Sequence, residues 1–590
     1  MAVYAPPLKD MMFLLDSVIG LEKLPEHPDL GKLDAPMVES ILEPAAALAS
    51  GVLAPLNQMG DRDGTTLADG VVTTAKGFKE AYAEYCAGGW NSVVFDPAHG
   101  GQGLPWLVAF AVQEMWQGAN LSFGLCPLLN QGAIEAIEAH ASGALKDEYL
   151  GKMISGEWTG TMNLTEPQAG SDLAAVRARA EPAEDGAYRI SGQKIFITYG
   201  EHDFTDNIIH LVLARLPGAP EGVKGISLFI VPKFLKDGTR NDLLCTGIEH
   251  KLGIHASPTC TMQYGDVAGD RKGAVGYLVG QEHEGLKYMF TMMNNARLSV
   301  GLQGVALAEA AYQKALAYAL ERVQGAPLSK KGGSAAVIAE HADVKRMLLS
   351  MAAQVEAGRA LAYEAALHLD LAKAGDAAAQ AKVDLLTPLV KAWCTDMACE
   401  VASTGVQIHG GMGFIEETGA AQFYRDARIL PIYEGTNGIQ AADLMFRKII
   451  RDEGRALQIY LKEFDETLSA LKKAPGDDFA VMHDALAKSH AVLGAASANI
   501  SALAKEDMDY VAAISVPYLK ALAGAAAGMM IFRAALKAVE RLGSGAGDAE
   551  FFGRKIIHAR FFAENILPLA TAQAGISLNS AKTVISARYE

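Results

Sequence analysis

From Met37 to about Met153, apolar residues recur three and four apart, as in MVESILEPAAALASGVLAPLNQM, LVAFAVQEMWQGAN and QGAIEAIEAHASGALKDEYLGKM. That spacing puts one apolar stripe on a helix. The loop DPAHGGQGLP at 96–105 interrupts it. Near Gly156 the period shortens to two, with β-branched residues and Gly/Asp/Asn turns, in YRISGQKIFIT, NIIHLVLARL, GISLFIVPKF and TCTMQYGDV. Short strands joined by turns, without helices between them, predict an antiparallel barrel or sandwich rather than a βαβ sheet. Helical spacing returns at 282–324, where Leu286, Met289, Phe290 and Met293 form one buried stripe. Further helices are predicted at 336–375 and 378–409. From about 455 a helical segment runs to Glu590, broken at APGDD (474–478) and GSGAG (543–547).

The pattern therefore predicts an α+β multidomain chain. It comprises an N-terminal extension over 1–36, a helical domain over 37–156, an antiparallel β domain over 157–280, a helical bundle over 281–453 and a helical C-terminal extension over 454–590. A chain of 590 residues, 50% of them hydrophobic and 20% charged, can bury several cores and is not globally disordered. Its net charge of -16 disfavours nucleic acid or an anionic membrane as the main partner, yet leaves room for a local basic pocket that takes an acidic ligand. The six cysteines are scattered and lack CxxC or Cys/His metal-ligand spacing, so no metal site is expected and a reducing cytoplasm fits best. The start, MAVYAPPLKDMMFLLDSVIG, has no basic region or cleavage site of a secretory signal. The most apolar later run, Ala521 to Phe532, falls short of the ~20 residues of a membrane span and reads as a buried helix.

Chemistry concentrates in a few blocks. The stretch 405–440, GVQIHGGMGFIEETGAAQFYRDARILPIYEGTNGIQ, pairs a glycine cluster with one carboxylate, Glu434, set between Tyr433 and Gly435. Glycines let a backbone approach a ligand closely. Upstream, Thr165 and Ser171 put two hydroxyls and several backbone amides into one loop, MNLTEPQAGSD, suited to a heteroaromatic edge or a phosphate. SGQKIFITYG carries Phe196 and Thr198. Arg297, in the helical run NNAR, needs a partner in an apolar setting. The histidines His202, His210, His250, His255 and His409 show no ligand set. No GxGxxG follows a strand and opens a helix, so a Rossmann dinucleotide site is not supported.

Taken in order, these blocks resemble acyl-CoA dehydrogenases over roughly 160–440, and the length, the TEPQAGSD and RVQG forms and the C-terminal extension resemble the long bacterial subgroup. The resemblance implies FAD as cofactor and Glu434 as the base that takes the α proton of an acyl-CoA. It implies flavin contacts from Met162, Leu164, Thr165, Gly170, Ser171, Phe196 and Thr198, with Gln168 where many members have glycine and Phe196 where tryptophan is frequent. Arg322 would reach the flavin pyrophosphate, commonly across a subunit interface, although the aromatic usual before Gly325 is absent. Gln407, Gly410, Gly411, Gly413 and Thr436 would lie along the cofactor. Ser171, Asn294, Arg297, Tyr433 and Gly435 would contact substrate, and the Glu434 N–H with a flavin ribityl hydroxyl would polarise the thioester carbonyl.

The same resemblance implies an electron-transfer flavoprotein as acceptor and a homo-oligomer, with the extension favouring a dimer. It places a 3-methylmercaptopropionyl thioester ahead of a short or medium straight-chain substrate; Met289, Met292 and Met293 are either an adaptable lining for a thioether or plain core. Three other readings compete. One is an acyl-CoA oxidase, and another is a CoA-binding scaffold without flavin. The third is a DNA-binding flavoprotein, disfavoured because residues 451–590 hold 16 basic and 16 acidic residues.

Overall fold

The period-two stretches fold as strands, and one of them organises the rest. In the computed structural model, which describes residues 4–183, 186–266, 273–330, 333–545, 547–579 and 581–589, Asn207–Arg215 is buried along almost its whole length. It pairs antiparallel with Ile226–Pro232 and parallel with Trp158–Asn163. Tyr188–Thr198 pairs antiparallel with Arg179–Pro182, Thr259–Tyr264 and Ala274–Leu278. Ala274–Leu278 also pairs with Ile226–Pro232, and Arg179 with Arg215, so the sheet closes on itself as a barrel. Leu243–Ile248 adds at the outer side of Thr259–Tyr264. Ile190, Ile197, Val212, Phe229, Val231, Met262 and Tyr264 fill the interior.

The expectation of a purely antiparallel sheet needs one correction. The pairings of Trp158–Asn163 and of Arg179 with Asn207–Arg215 are parallel. Parallel neighbours need a long connection, and the loop and hairpin between residues 163 and 207 supply it. Alternation of side chains is the same in both arrangements, so the sequence pattern could not distinguish them.

These strands belong to a unit formed by 45–104 and 119–296. Its helices include Ala54–Asp63, Phe78–Ala87, Leu121–His140 and Gly143–Ser155. The second unit, 1–44, 105–118 and 297–590, is helical. The helix Gly285–Glu321 begins in the first unit's sequence and ends in the second's. In the helical unit Ala342–Lys373 packs along Ala377–His409, and Met508–Gly543 packs on both. Every residue from Ala521 to Phe532 is buried, as the sequence predicts. Among the described residues two helices, Ala35–Asp63 and Met508–Gly543, are long and apolar enough to cross a membrane; 78% of the second's apolar window is buried against neighbouring helices.

Charges stitch this unit together. Arg359, fully buried, donates at 2.7 Å to both Glu114 and Glu309, and the Tyr363 hydroxyl satisfies the second Glu114 oxygen. Lys382 bridges Glu364 and Glu463, and Arg533 also reaches Glu463. Lys555 pairs with Asp10 and Glu356. The N-terminal segment and the C-terminal helices are thereby fastened to the same bundle.

Candidate active site

In the β-containing unit the strand Tyr188–Thr198 carries a bulge between Lys194 and Ile197. In a regular strand residues 194 and 196 would share a face. Here Phe196 takes φ of 60°, a strained value for a bulky residue, and the bulge turns it outward. Lys194 is fully buried while Phe196 is 58% exposed. An aromatic ring held out by a strained backbone presents a face for stacking rather than a core side chain.

The buried lysine anchors the loop beside it. Lys194 Nζ donates to Glu166 Oε1 at 2.8 Å and to the Leu164 carbonyl at 3.0 Å. The Ile195 N–H donates to the Thr165 carbonyl at 2.9 Å. Glu166 further accepts from the Arg177 and Ala178 N–H groups at 2.7 and 3.0 Å. Burial raises the Glu166 carboxyl, but Lys194 and these N–H groups outweigh it and hold it below the usual value. Burial lowers Lys194 to about 8. Gln168, unusual at its position by the resemblance above, donates to Glu166 Oε2 and the Ala175 carbonyl, so it closes the loop where a glycine could not. The Thr161 hydroxyl donates to the Thr198 carbonyl at 2.6 Å.

Met162, Leu164, Thr165, Phe196 and Thr198 are thus gathered around one strand and its loop. Gly170 and Ser171 lie exposed further along that loop, and Asn294 is exposed on its helix. His202, His210 and His255, which show no ligand set in the sequence, have structural partners. His202 Nδ1 accepts from the Phe204 N–H, which leaves its Nε2–H for Thr159 Oγ1 at 2.8 Å; burial lowers it to about 3 and keeps it neutral. His210 lies 3.3 Å from the Asn163 amide, and His255 pairs with Asp61. Met289, Met292 and Met293 are buried, and Met292 packs so closely on Gly132 that a Cβ there would meet its Cγ at 2.8 Å. Met292 is core.

In the helical unit Glu434 has φ of 52° and Gly435 φ of 80°. Two consecutive left-handed residues turn the chain sharply and present the carboxylate. The loop around them is closed by the Asn437 N–H on the Pro431 carbonyl at 3.0 Å. Gln440 Nε2 donates to the Glu434 and Gly435 carbonyls, each at 3.3 Å. Thr436 caps the short helix Asn437–Ala442 by accepting from the Ile439 N–H. Nothing among the described residues accepts from the Glu434 N–H. The Tyr433 hydroxyl donates to buried Gln303, whose amide donates to Gln117 at 3.2 Å.

Burial pushes the Glu434 carboxyl up, against the opposing pull of Arg297 and Lys391. Arg297, 5% exposed, finds the partner its setting requires in Asp443, 3.8 Å away, while its Nε has none. A Cβ on Gly435 would lie 3.7 Å from the Arg297 guanidinium, so Arg297, Tyr433, Glu434, Gly435 and Thr436 form one cluster.

The other expected residues sit apart from that cluster. Gln407 and Gly410 end the helix Ala377–His409, where Gly410 takes φ of 60°. A Cβ on Gly410 or Gly411 would meet open space, whereas one on Gly413 would strike the Val406 carbonyl at 2.2 Å. Gly413 serves the chain's own packing. Arg322 is exposed just past its helix, 3.4 Å from Gln324 Oε1. Sequence reasoning missed Lys194 with Glu166, and Lys391 with Asn437. Lys391 gave the same signal as Arg297, a cation in an apolar helical run (LLTPLVKAWC).

Four family descriptions match consecutive parts of the chain: acyl-CoA dehydrogenase N-terminal domain at 45–157, middle domain at 161–267 and C-terminal domain at 283–448, then acetyl-CoA dehydrogenase C-terminal like at 460–588. A 3-methylmercaptopropionyl-CoA dehydrogenase of Ruegeria pomeroyi is 47% identical over 97% of both chains. A butyryl-CoA dehydrogenase of Syntrophomonas wolfei is 36% identical over 96% of this chain and 95% of its own. Among solved structures, an acyl-CoA dehydrogenase of Bacillus anthracis complexed with FAD shares the fold, with a TM-score of 0.77 at 20% identity over 98% of this chain and 95% of that one.

Proposed function

The chain belongs to the acyl-CoA dehydrogenase family, and we propose that it is an FAD-dependent enzyme that takes hydrogen from Cα and Cβ of an acyl-CoA, with Glu434 as the base. The observation that carries this is the Glu434 turn: a carboxylate set by two left-handed residues, raised by burial and faced by Arg297. A raised carboxyl is better matched to the weakly acidic α proton than an ordinary one. Arg297 keeps the ionised form accessible, and the unpartnered Glu434 N–H is a donor for the thioester oxygen on which charge develops.

The β-containing unit suits a flat cofactor. Phe196 offers a stacking face, and the loop pinned by Lys194 offers backbone and hydroxyl donors along its edge. FAD, when bound, supplies the acceptor for the β hydride at N5. Met162, Leu164, Thr165, Gly170, Ser171, Phe196 and Thr198 are its proposed contacts in this unit; Arg322, Gln407, Gly410, Gly411 and Thr436 are proposed for the cofactor on the family resemblance alone. Thr436 serves first as a helix cap. Ser171 and Asn294, with Arg297, Tyr433 and Gly435, are the proposed substrate contacts.

Identity of 47% to the Ruegeria pomeroyi enzyme supports 3-methylmercaptopropionyl-CoA as substrate and methylthioacryloyl-CoA as product. Similarity to the butyryl-CoA dehydrogenase supports a straight-chain acyl-CoA as second reading. Rates across a panel of acyl-CoAs with an artificial acceptor decide between them; the thioether substrate is expected to have the highest kcat/KM. Electrons pass on to an electron-transfer flavoprotein, so substrate-reduced enzyme should reoxidise slowly in air, where an oxidase would do so at once with peroxide. A cytoplasmic dimer is the proposed assembly, and light scattering at twice the chain mass is the expected result. The deciding variant is Glu434→Gln: flavin and thioester binding persist and flavin bleaching is lost. Bleaching at the wild-type rate overturns the assignment.

A further inference from the structure

Lys391 lies in the helix Ala377–His409, is fully buried, and has no part in the roles assigned so far. Its Nζ donates to the Leu430 carbonyl at 3.0 Å and to Asn437 Oδ1 at 2.9 Å. Those residues flank the Glu434 turn on either side. The Asn437 amide in turn donates to the Ala392 carbonyl at 3.1 Å, to Thr395 Oγ1 at 3.0 Å and to Asp396 Oδ1 at 2.8 Å. One helical face therefore grips both ends of a loop whose centre holds a strained Glu434. Strain of this kind persists only where the surroundings over-determine it, and Lys391 with Asn437 supplies that constraint.

We infer that Lys391 is a positioning residue for the base: it fixes both ends of the Glu434 loop and brings a second buried cation to it. The inference rests on Glu434 as the base. The charges that meet around it are Glu434 and Arg297, with Asp396 on its own helix, Lys520 3.2 Å from Asp396, and Asp443 beside Arg297. Burial lowers Lys391 to about 7, against the pull of Glu434 and Asp396, so its charge is partial near neutral pH and a permanent cation would act differently.

The test compares Lys391→Met and Lys391→Arg with the wild-type holoenzyme, by anaerobic flavin reduction across pH, flavin content and thermal midpoint. A base misplaced by about 1 Å loses roughly 10²-fold in rate. Lys391→Met is expected to keep its flavin, reduce it roughly 10²-fold more slowly at saturating substrate with little change in KM, and shift the acid limb of the rate profile to higher pH. Lys391→Arg is expected to return the acid limb toward the wild-type position. Wild-type rate and acid limb in Lys391→Met overturn the inference. So does a rate loss that follows lost flavin and a lowered thermal midpoint with the acid limb unmoved. If Glu434→Gln still bleaches, the base assignment itself has failed; if it does not, and Lys391→Met behaves as wild type, only the inference falls.

Discussion

Removing the Lys194 ammonium tests how the flavin loop is held. In Lys194→Met the chain keeps a similar apolar stem but loses the charge 2.8 Å from Glu166 Oε1 and the bond to Leu164. At an effective dielectric constant of about 20 the lost attraction is roughly 6 kcal/mol. Relief of lysine desolvation offsets part of it, and breaking a buried pair leaves a net loss of about 3–5 kcal/mol. Glu166 would keep the Arg177 and Ala178 N–H groups, so the loop should loosen locally rather than the whole unit unfold. Hydrogen exchange over residues 162–178 reads this directly. With a factor of ten for each 1.4 kcal/mol, protection there should drop roughly 10²- to 10³-fold and flavin should dissociate more readily. The double variant Lys194→Met/Glu166→Gln should recover part of the loss, because it leaves no unpaired charge. Protection within tenfold of wild type and unchanged flavin affinity would refute the reasoning.

At Phe196 stability and binding should move in opposite directions. A non-glycine residue in the left-handed region costs about 1–2 kcal/mol, so Phe196→Gly should leave the thermal midpoint of the flavin-free protein unchanged or higher. The same change removes the exposed ring, and loss of a stacking contact of about 0.5–1.5 kcal/mol should weaken flavin binding roughly two- to tenfold, measured by fluorescence titration. Titration of Glu434 gives a second pair of opposite signs. Its folded carboxyl is raised, so the native state binds a proton that the unfolded chain has released, and stability from this group is lost as pH rises through the folded value. Activity should increase over that same window, because the base must be ionised. Thermal midpoints of wild type minus Glu434→Gln should fall across it, and a flat difference would count against a buried carboxyl.

Much of this protein was legible in one dimension. The change of apolar period near Gly156 marks the passage from helix to strand because side chains repeat every 3.6 residues in one and every two in the other. The run Ala521–Phe532 sits in a buried helix because it is apolar on every side and offers no face to water. Arg297 stood out because an apolar helix does not bury a cation without a partner, whereas Glu434 was marked by the resemblance of the ordered blocks around it, since a glutamate before a glycine is more often a turn residue. The apolar period and the lone cation are local signals, decided by neighbours along the chain.

Contacts between distant segments were decided only in three dimensions. Parallel and antiparallel strands share one alternation, so the mixed pairing of Asn207–Arg215 left no mark on the pattern. The bulge that points Phe196 outward and Lys194 inward is a single inserted residue, invisible in a motif that reads as a regular strand. The clasp of Lys391 and Asn437 joins positions 46 apart, and the Lys194–Glu166 pair joins positions 28 apart. Burial raises the free energy of a lone charge, so each such residue must find its partner. The sequence shows that a partner is required; the packing of helix on loop and strand on strand selects which one.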